Sequence, residues 1–163
     1  MAKAYQLAAR TGAHVQGWSV RGGACILAHT LTDIPQGQFE TVLREELPLI
    51  RKAFDKVYGT GKKPTLTITI CGKRHHARFY PMNDGEASRN GNTKPGTIVD
   101  KGVTDVFRFD YYLQAHSGLQ VGALAARCAP NLPTSQGTVR PTHYSVIYDE
   151  NKMQADEIQQ GTQ

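Results

Sequence analysis

The sequence carries its strongest structural signal in FETVLREELPLIRKAFDKVY (Phe39–Tyr58) and in TLTITIC (Thr65–Cys71), which follows after a short break. In the first segment, apolar residues recur at steps of three and four, which predicts an amphipathic helix. Pro48 lies inside this helix and should bend it locally, because proline lacks an N–H and clashes with the preceding turn. In the second segment, leucine and isoleucine alternate with threonine, which predicts a half-buried strand.

On either side of this helix–strand unit the pattern is weaker. Residues 96–100 (GTIVD), 107–115 (FRFDYYLQA) and 142–148 (THYSVIY) are rich in β-branched and aromatic residues, so we predict a strand in each. Residues 82–94 are rich in Asn, Asp, Gly and Ser, which favours an exposed loop. In residues 1–36, MAKAYQLAAR suggests a short helical start, but the rest shows no clear period, so little structure is predicted there and no strand. Strands that alternate with a strong helix indicate an α/β fold.

The chain is basic, and part of its positive charge is concentrated. Its 163 residues suffice for one domain with a hydrophobic core, and its net charge is +5 with a pI of 9.2. This balance favours an anionic partner such as nucleic acid or an acidic membrane surface. Lys73, Arg74 and Arg78 fall in one short run, with His75 and His76 between them.

The cysteine pattern and the length of the apolar runs indicate in which cellular compartment the protein is expected. Cys25, Cys71 and Cys128 are odd in number and lack CxxC spacing, so neither a disulfide framework nor a zinc site is indicated. No run approaches the roughly 18 apolar residues of a membrane span, and residues 1–30 lack a signal peptide. We expect a soluble intracellular protein, in the cytoplasm or alternatively in the nucleus.

Three separated stretches resemble, in the same order, the Piwi domain of eukaryotic Argonaute proteins, and we expect a fungal one. GQFETVLREELPLIRKAF (Gly37–Phe54) is similar to a helix of that family. KRHHARFYP (Lys73–Pro81) and NTKPGTIVDKGVTDVFRFDYYLQAHSGLQ (Asn92–Gln120) resemble its KRHHTR strand and the run that follows. GTVRPTHYSVIYDENKMQADEIQ (Gly137–Gln159) is similar to its R-P-x-H-Y element. The resemblance implies an RNase H-like fold with a mixed sheet and flanking helices, present only as the C-terminal part of a Piwi domain.

The resemblance also sets the predicted domain bounds. Residues 37–159 form a partial Piwi domain, preceded by a poorly defined segment, 1–36, and followed by a tail, 160–163. The stretch Val121–Gln136 interrupts a motif that is continuous in the family. One hypothesis is a translated intron in a partial or mis-spliced gene, since valine codons begin with GT and one glutamine codon is CAG. The alternative is a surface insertion, which loop entropy tolerates, and the transcript sequence would decide.

The resemblance implies that the domain holds the phosphates of a small guide RNA. A protein that accepts any guide sequence should grip the charged backbone rather than base edges, and arginine can clamp a phosphate with two hydrogen bonds. The family's phosphate-contacting positions correspond here to Lys73, Arg74, Arg78, His116 and Arg140. If residues 73–78 form a strand, alternate side chains face opposite ways, and not all of this charge lines one groove.

Other polar and aromatic residues have structural interpretations. We expect His143 to be a hydrogen-bonded core histidine, and we interpret Asp100 and Asp110 as structural rather than metal-binding. Phe107, Phe109 and Tyr111 are predicted to lie in the core, with base stacking by an exposed ring as the alternative.

The family's cleavage chemistry is not expected here. Slicing Argonautes hold two divalent ions with acidic residues. Thr32 occupies the place of one family aspartate, and the neighbouring Asp33 is only a weak candidate, because a slip of one residue reverses the face of a strand. No cofactor is expected; Mg²⁺ belongs to the alternative of an endonuclease built on Asp33, Asp100 or Asp110. A third alternative is an interaction scaffold or a non-functional product. The expected partners are a guide RNA, its complementary target RNA and silencing-complex proteins.

Overall fold

The computed structural model of the protein describes residues 17–21 and 24–29 as strands, together with residues 34–61, 63–88, 91–116 and 139–162. Its strands are β1 (Gly17–Arg21), β2 (Ala24–His29), β3 (Thr65–Gly72), β4 (Ile98–Val99), β5 (Asp110–Leu113) and β6 (Thr142–Asp149). Its α-helices are α1 (Phe39–Tyr58) and α2 (Ala155–Thr162), with short 3₁₀ turns at Gln36–Gln38 and Asp84–Glu86.

The six strands form one mixed sheet in the order β1-β2-β3-β6-β5-β4. The pair β2–β3 is parallel, and the other four neighbouring pairs are antiparallel. This arrangement confirms the predicted α/β class with a mixed sheet and flanking helices.

Helix α1 has the predicted bounds and continues through Pro48. Its buried residues Ile50 and Phe54 pack against Leu66 and Ile68 of β3. Fully burying a side chain of this size contributes about 1.5–3 kcal/mol, so this contact is the main reason why the helix docks on the sheet. The helix ends at Gly59, whose φ of +54° suits glycine because it has no Cβ.

A second cluster lies on the other face of the sheet. Ile158 of α2, a helix that the sequence analysis did not predict, packs against Tyr111 and Leu113 of β5. The hydroxyls of Tyr111 and Thr162 lie 2.7 Å apart and share a hydrogen bond. Because helices cover both faces, β3 is buried throughout its centre, and the prediction of a half-buried strand is wrong: Thr67 is 0 % exposed.

Strand β6 contributes to both clusters through an irregularity. In a regular strand, residues two apart share a face. Val146 nevertheless packs with the α2 cluster and Tyr148 with the α1 cluster. The register with β3 shifts between Ile68 and Thr69, opposite these two residues, which is the effect of a β-bulge.

Several predicted boundaries need correction. Two strands, β1 and β2, lie within residues 1–36, where no strand was predicted. The strand predicted at 96–100 is only Ile98–Val99, and that predicted at 107–115 is only Asp110–Leu113. The short β5 leaves Phe107 outside the sheet and 93 % exposed, so its prediction as a core residue is wrong.

The loop predicted at 82–94 is more structured than expected. It contains the 3₁₀ turn Asp84–Glu86, and both Asn92 and Thr93 are buried. The side-chain oxygen of Asn92 accepts a hydrogen bond from the backbone N–H of Val139 at 3.2 Å. This loop therefore supports the chain just before β6.

Two predictions fall outside the described residues. Asp33 and the stretch 121–136 are not among them, so the hypotheses about a shifted aspartate and about a translated intron stay predictions. In the part of the chain that is described, no helix combines the length and the apolar character needed to cross a membrane.

Candidate nucleic-acid interface

The five predicted site residues lie on segments that leave the sheet at one end. Strand β3 finishes where β6 begins, at the pair Gly72–His143, and β5 finishes at the pair Leu113–Thr142. The chain therefore leaves β3 and β5, and enters β6, at the same end of the sheet. We name this region the cationic end, after the residues that its segments carry: Lys73, Arg74, Arg78, His116 and Arg140.

The basic run after β3 is not a strand, which corrects the prediction for 73–78. Residues 73–80 have no regular secondary structure. The cause lies in the partner strand, because β6 begins directly after Pro141, and a proline cannot donate to a ladder. The side chains of this run are therefore not restricted to two opposite faces.

Most of the cationic side chains face solvent. Lys73, Arg74, His116 and Arg140 are exposed, and Arg78 is half-buried. Arg78 donates from Nη1 to the carbonyl oxygen of Ala77 at 2.7 Å. Guanidinium and ammonium groups are the side chains that bind phosphate oxygens most strongly.

No carboxylate neutralises three of these cations within the described residues. Lys73, Arg78 and Arg140 form no ion pair with a described Asp or Glu. The positive potential of this end is therefore not cancelled by an acidic neighbour from the described part of the chain.

A cavity opens beside the start of the basic run. It has a volume of about 330 Å³. The chain that leads into α1 forms one wall, and the ends of β3 and β6 form the other. Its lining residues are Ile34, Pro35, Gly72, Arg74, His75 and His143. One cation and two imidazoles thus face a concave surface.

His75 links the basic run to the chain before β6. Its Nε2 lies 2.9 Å from the carbonyl oxygen of Pro141, so Nε2 carries the proton and donates it. Burial lowers the pKa of His75, the hydrogen bond to Pro141 opposes this, and His143, Arg78 and Arg140 lower the pKa further by repelling a charged ring. The two arginines thus lie close enough to act on the same imidazole.

The two aspartates considered as metal ligands are engaged in other contacts. Asp110, which is 5 % exposed, accepts hydrogen bonds from His143 Nε2 at 2.6 Å and from the backbone N–H of Asp105 at 2.8 Å. Asp100 accepts from Gln159 Nε2 at 3.2 Å. The structure thus confirms that His143 is hydrogen-bonded, but the residue is half-buried and not part of the core as predicted. Among the described residues, no group of three or more His, Cys, Asp or Glu is arranged to hold a metal ion.

Two residues of this end were not identified as important from the sequence. His75 was treated only as part of the basic run, and Tyr112 only as part of an aromatic strand. The phenol ring of Tyr112 contacts the rings of both His75 and His143, with centroid distances of 5.2 Å and 4.3 Å, and the two imidazoles lie 6.2 Å from each other. The pair of adjacent histidines, His75 and His76, was the sequence signal that could have drawn attention to His75. The hydrogen-bond partner of His75 could not be predicted, because it is a backbone carbonyl, that of Pro141.

Comparison with known proteins agrees with this geometry. The Piwi domain family matches residues 34–127, which is more than half of the chain. The chain therefore belongs to the Piwi domain family, and the predicted resemblance is confirmed. The match begins close to the predicted start at 37 and runs into the stretch 121–136.

Curated relatives are Argonaute proteins. Protein argonaute 14 of rice is 37 % identical over 132 residues, which cover 77 % of this chain and 11 % of the relative. The argonaute of Schizosaccharomyces pombe is 36 % identical over 124 residues, which cover 76 % of this chain and 13 % of the relative. The chain thus spans about a tenth of the length of these relatives.

Solved structures share the fold. The C-terminal lobe of a budding yeast Argonaute is similar with a TM-score of 0.63 and 28 % identity, over 82 % of this chain and 26 % of that one. The structure of Kluyveromyces polysporus Argonaute with a guide RNA is similar with a TM-score of 0.62 and 28 % identity. The match covers 82 % of this chain and 16 % of that one. Drosophila Piwi is similar with a TM-score of 0.55 and 23 % identity, over 83 % of this chain and 15 % of that one. This likeness supports the fold alone.

Proposed function

We propose that this chain holds the sugar–phosphate backbone of a small guide RNA, as part of a small-RNA-guided gene-silencing protein. The observation that carries the proposal is the position of Lys73, Arg74, Arg78, His116 and Arg140 on three segments that leave the sheet at one end. The related Kluyveromyces polysporus Argonaute, whose structure contains a guide RNA, supports the same partner. The proposed setting is the cytoplasm or the nucleus, with target RNA and silencing-complex proteins as further partners.

The chemistry explains why such an interface accepts any guide sequence. Each phosphate that a cation contacts releases counterions, so the binding free energy comes from a part of RNA that is the same in every sequence. Arg74, Arg78 and Arg140 can each clamp a phosphate with two hydrogen bonds, whereas Lys73 acts as a point charge. Binding should therefore be sensitive to salt and tolerant of sequence.

Filter binding tests this proposal directly. The 163-residue chain is titrated against a labelled single-stranded RNA at several salt concentrations, and the logarithm of affinity is plotted against that of salt. Each of Arg74→Ala, Arg78→Ala and Arg140→Ala should weaken binding for every RNA sequence and reduce the slope by about 0.7, the value for one phosphate of a single strand.

The matched control is Lys52→Ala. Lys52 is an exposed cation on α1, outside the cationic end, so its loss lowers the net charge by the same amount. It should leave affinity and slope unchanged. The proposal fails if affinity does not depend on salt, or if Lys52→Ala weakens binding as much as the three arginine variants do.

The proposal includes the absence of target cleavage. Asp110 is buried and accepts two hydrogen bonds, one oxygen of Asp100 accepts from Gln159, and no group of three described His, Cys, Asp or Glu residues is arranged to hold a metal ion, which supports this part of the proposal. Incubation with a guide, a labelled complementary target RNA and Mg²⁺ should leave the target intact. A cut at one defined position would contradict this part.

A further inference from the structure

We propose that His75 is a positioning residue: it clasps the segment after β3 to the segment before β6 and so sets the distance between Arg78 and Arg140. This inference rests on the proposed binding of a guide backbone, and it adds how the two arginines are held. His75 itself needs no contact with RNA in this role.

The clasp has two hydrogen bonds, one from the side chain and one to the backbone of the same residue. The ring N–H at Nε2 donates to the carbonyl oxygen of Pro141, which is buried and directly follows Arg140. The carbonyl oxygen of His75 accepts from Nη1 of Arg78 at 3.3 Å. One residue thus connects the backbone next to one arginine with the side chain of the other.

Aromatic packing fixes the orientation of the His75 ring. The ring meets Tyr112 edge to face, at an interplanar angle of 73°, and Tyr112 stacks on His143 at 14°. His143 is in turn held by its hydrogen bond to the buried carboxylate of Asp110. The His75 ring is therefore anchored against β5 and β6, whereas the hydrogen bond from Arg78 lies within the irregular run.

The ring must be neutral for this arrangement. Nδ1 is buried and has no hydrogen-bond partner among the described residues. A proton on Nδ1 would add a buried donor without an acceptor, beside the positive charges of Arg78 and Arg140. Burial and these neighbours, together with His143, lower the pKa of His75, so the neutral ring that donates from Nε2 is the stable form.

A fixed separation matters because a backbone presents its phosphates at set intervals. Two arginines bind adjacent phosphates as a pair only if their separation matches that interval. Ordering them before binding lowers the entropy lost on association, which raises affinity without a new contact to RNA.

Two substitutions separate the hydrogen bond from the packing. His75→Phe keeps a ring against Tyr112, removes the donor to Pro141 and also removes the unpartnered Nδ1. His75→Gln places an amide N–H near the position of Nε2. We expect His75→Phe to weaken RNA binding about tenfold, within the range of coupling seen between contacting residues, and His75→Gln to restore most of the loss.

A double-mutant cycle identifies the route of the effect. In the Arg140→Ala background, His75→Phe should have little further effect, because the arginine that it positions is absent. An equal loss in both backgrounds would overturn the proposal. Wild-type affinity in His75→Phe would overturn it as well.

Hydrogen exchange provides a readout that does not involve RNA. The Val139 amide is hydrogen-bonded to Asn92, and Thr142 begins β6, so both amides report on the clasped segment. They should exchange faster in His75→Phe and at the wild-type rate in His76→Phe, which changes the exposed neighbouring histidine. If the wild-type chain bound no RNA, the proposed function would fail, while unchanged exchange in His75→Phe would refute the clasp separately.

Discussion

The two ends of the β3–β6 pair differ in whether their arginines form ion pairs with carboxylates. At the end where β3 begins, Arg51 donates to the Tyr148 hydroxyl at 2.6 Å and pairs with Glu150. At the cationic end, Arg78 and Arg140 have no carboxylate partner among the described residues. The cations at the two ends are therefore in different surroundings: a carboxylate neutralises Arg51, whereas no described carboxylate pairs with Arg78 or Arg140.

The largest expected loss of folding stability comes from replacing Asp110, the buried carboxylate that holds His143 at the cationic end. Asp110→Ala removes the buried acceptor of two donors, the ring N–H of the half-buried His143 and the backbone N–H of Asp105. Leaving such donors unsatisfied costs about 1–3 kcal/mol each, so we expect the free energy of unfolding to fall by about 3 kcal/mol. Urea denaturation followed by circular dichroism measures this change.

Asp110→Asn is the matched variant for that measurement. It keeps one oxygen, which can still accept from the Asp105 N–H, so it should cost clearly less than Asp110→Ala. Equal losses for both variants would show that the hydrogen bonds at this site are not what stabilises it.

A smaller loss of folding stability is expected from replacing Glu150, the carboxylate that pairs with Arg51 at the opposite end of the strands. Glu150 is partly exposed; it pairs with Arg51 and accepts from the backbone N–H of Leu66 at 3.0 Å. Because solvent screens the ion pair, Glu150→Gln should lower the free energy of unfolding by about 1 kcal/mol or less, and RNA affinity should not fall. A loss of RNA affinity would contradict the proposal that RNA binds only at the cationic end.

Stability at the cationic end should depend on pH through His75. The pKa of His75 in the folded chain is lowered from its usual 6.5 by burial and by the neighbouring charges. The unfolded chain therefore binds this proton more readily, and stability falls as pH drops below about 6.5 towards the folded-state pKa. In His75→Phe this part of the acid destabilisation should be missing. Urea titrations of both proteins across this range would show it, and parallel curves would exclude His75 as a source.

The smallest effect is expected for an exposed ion pair. Nζ of Lys63 lies 2.5 Å from Oδ1 of Asp55, and about half of each side chain is exposed. Lys63→Ala should change the free energy of unfolding by at most about 0.5 kcal/mol and leave RNA affinity unaltered, although it removes the same charge as an arginine of the cationic end. Thermal unfolding and filter binding check both statements.

The sequence predicted those parts of the fold that depend on local pattern. Helix α1 has the predicted bounds because its apolar residues recur regularly and a glycine ends it. Strands β1 and β2 were missed, because Gly17–Arg21 and Ala24–His29 alternate weakly and form through pairing with each other and with the distant β3. Such long-range pairing leaves little signal in a single sequence.

The candidate site was predicted in its residues but not in its construction. The family motifs located Lys73, Arg74, Arg78, His116 and Arg140, and their contact with RNA stays a prediction. The irregular run after Gly72 could not be foreseen, since it depends on Pro141, which comes much later in the chain and stops the partner ladder. The clasp at His75 likewise depends on a backbone carbonyl, which every residue type provides.

The pairing of Leu113 with Thr142 has a consequence for how this domain can vary between proteins. Because the chain departs from the sheet and returns to it at adjacent positions, the stretch from 114 to 141 connects two points that the ladder already holds together. Each doubling in length of such a connection adds only about 0.6 kcal/mol of closure entropy. Gain or loss of residues within it, whether by exon change or by natural insertion, can thus leave the strands and the arginine before β6 in register.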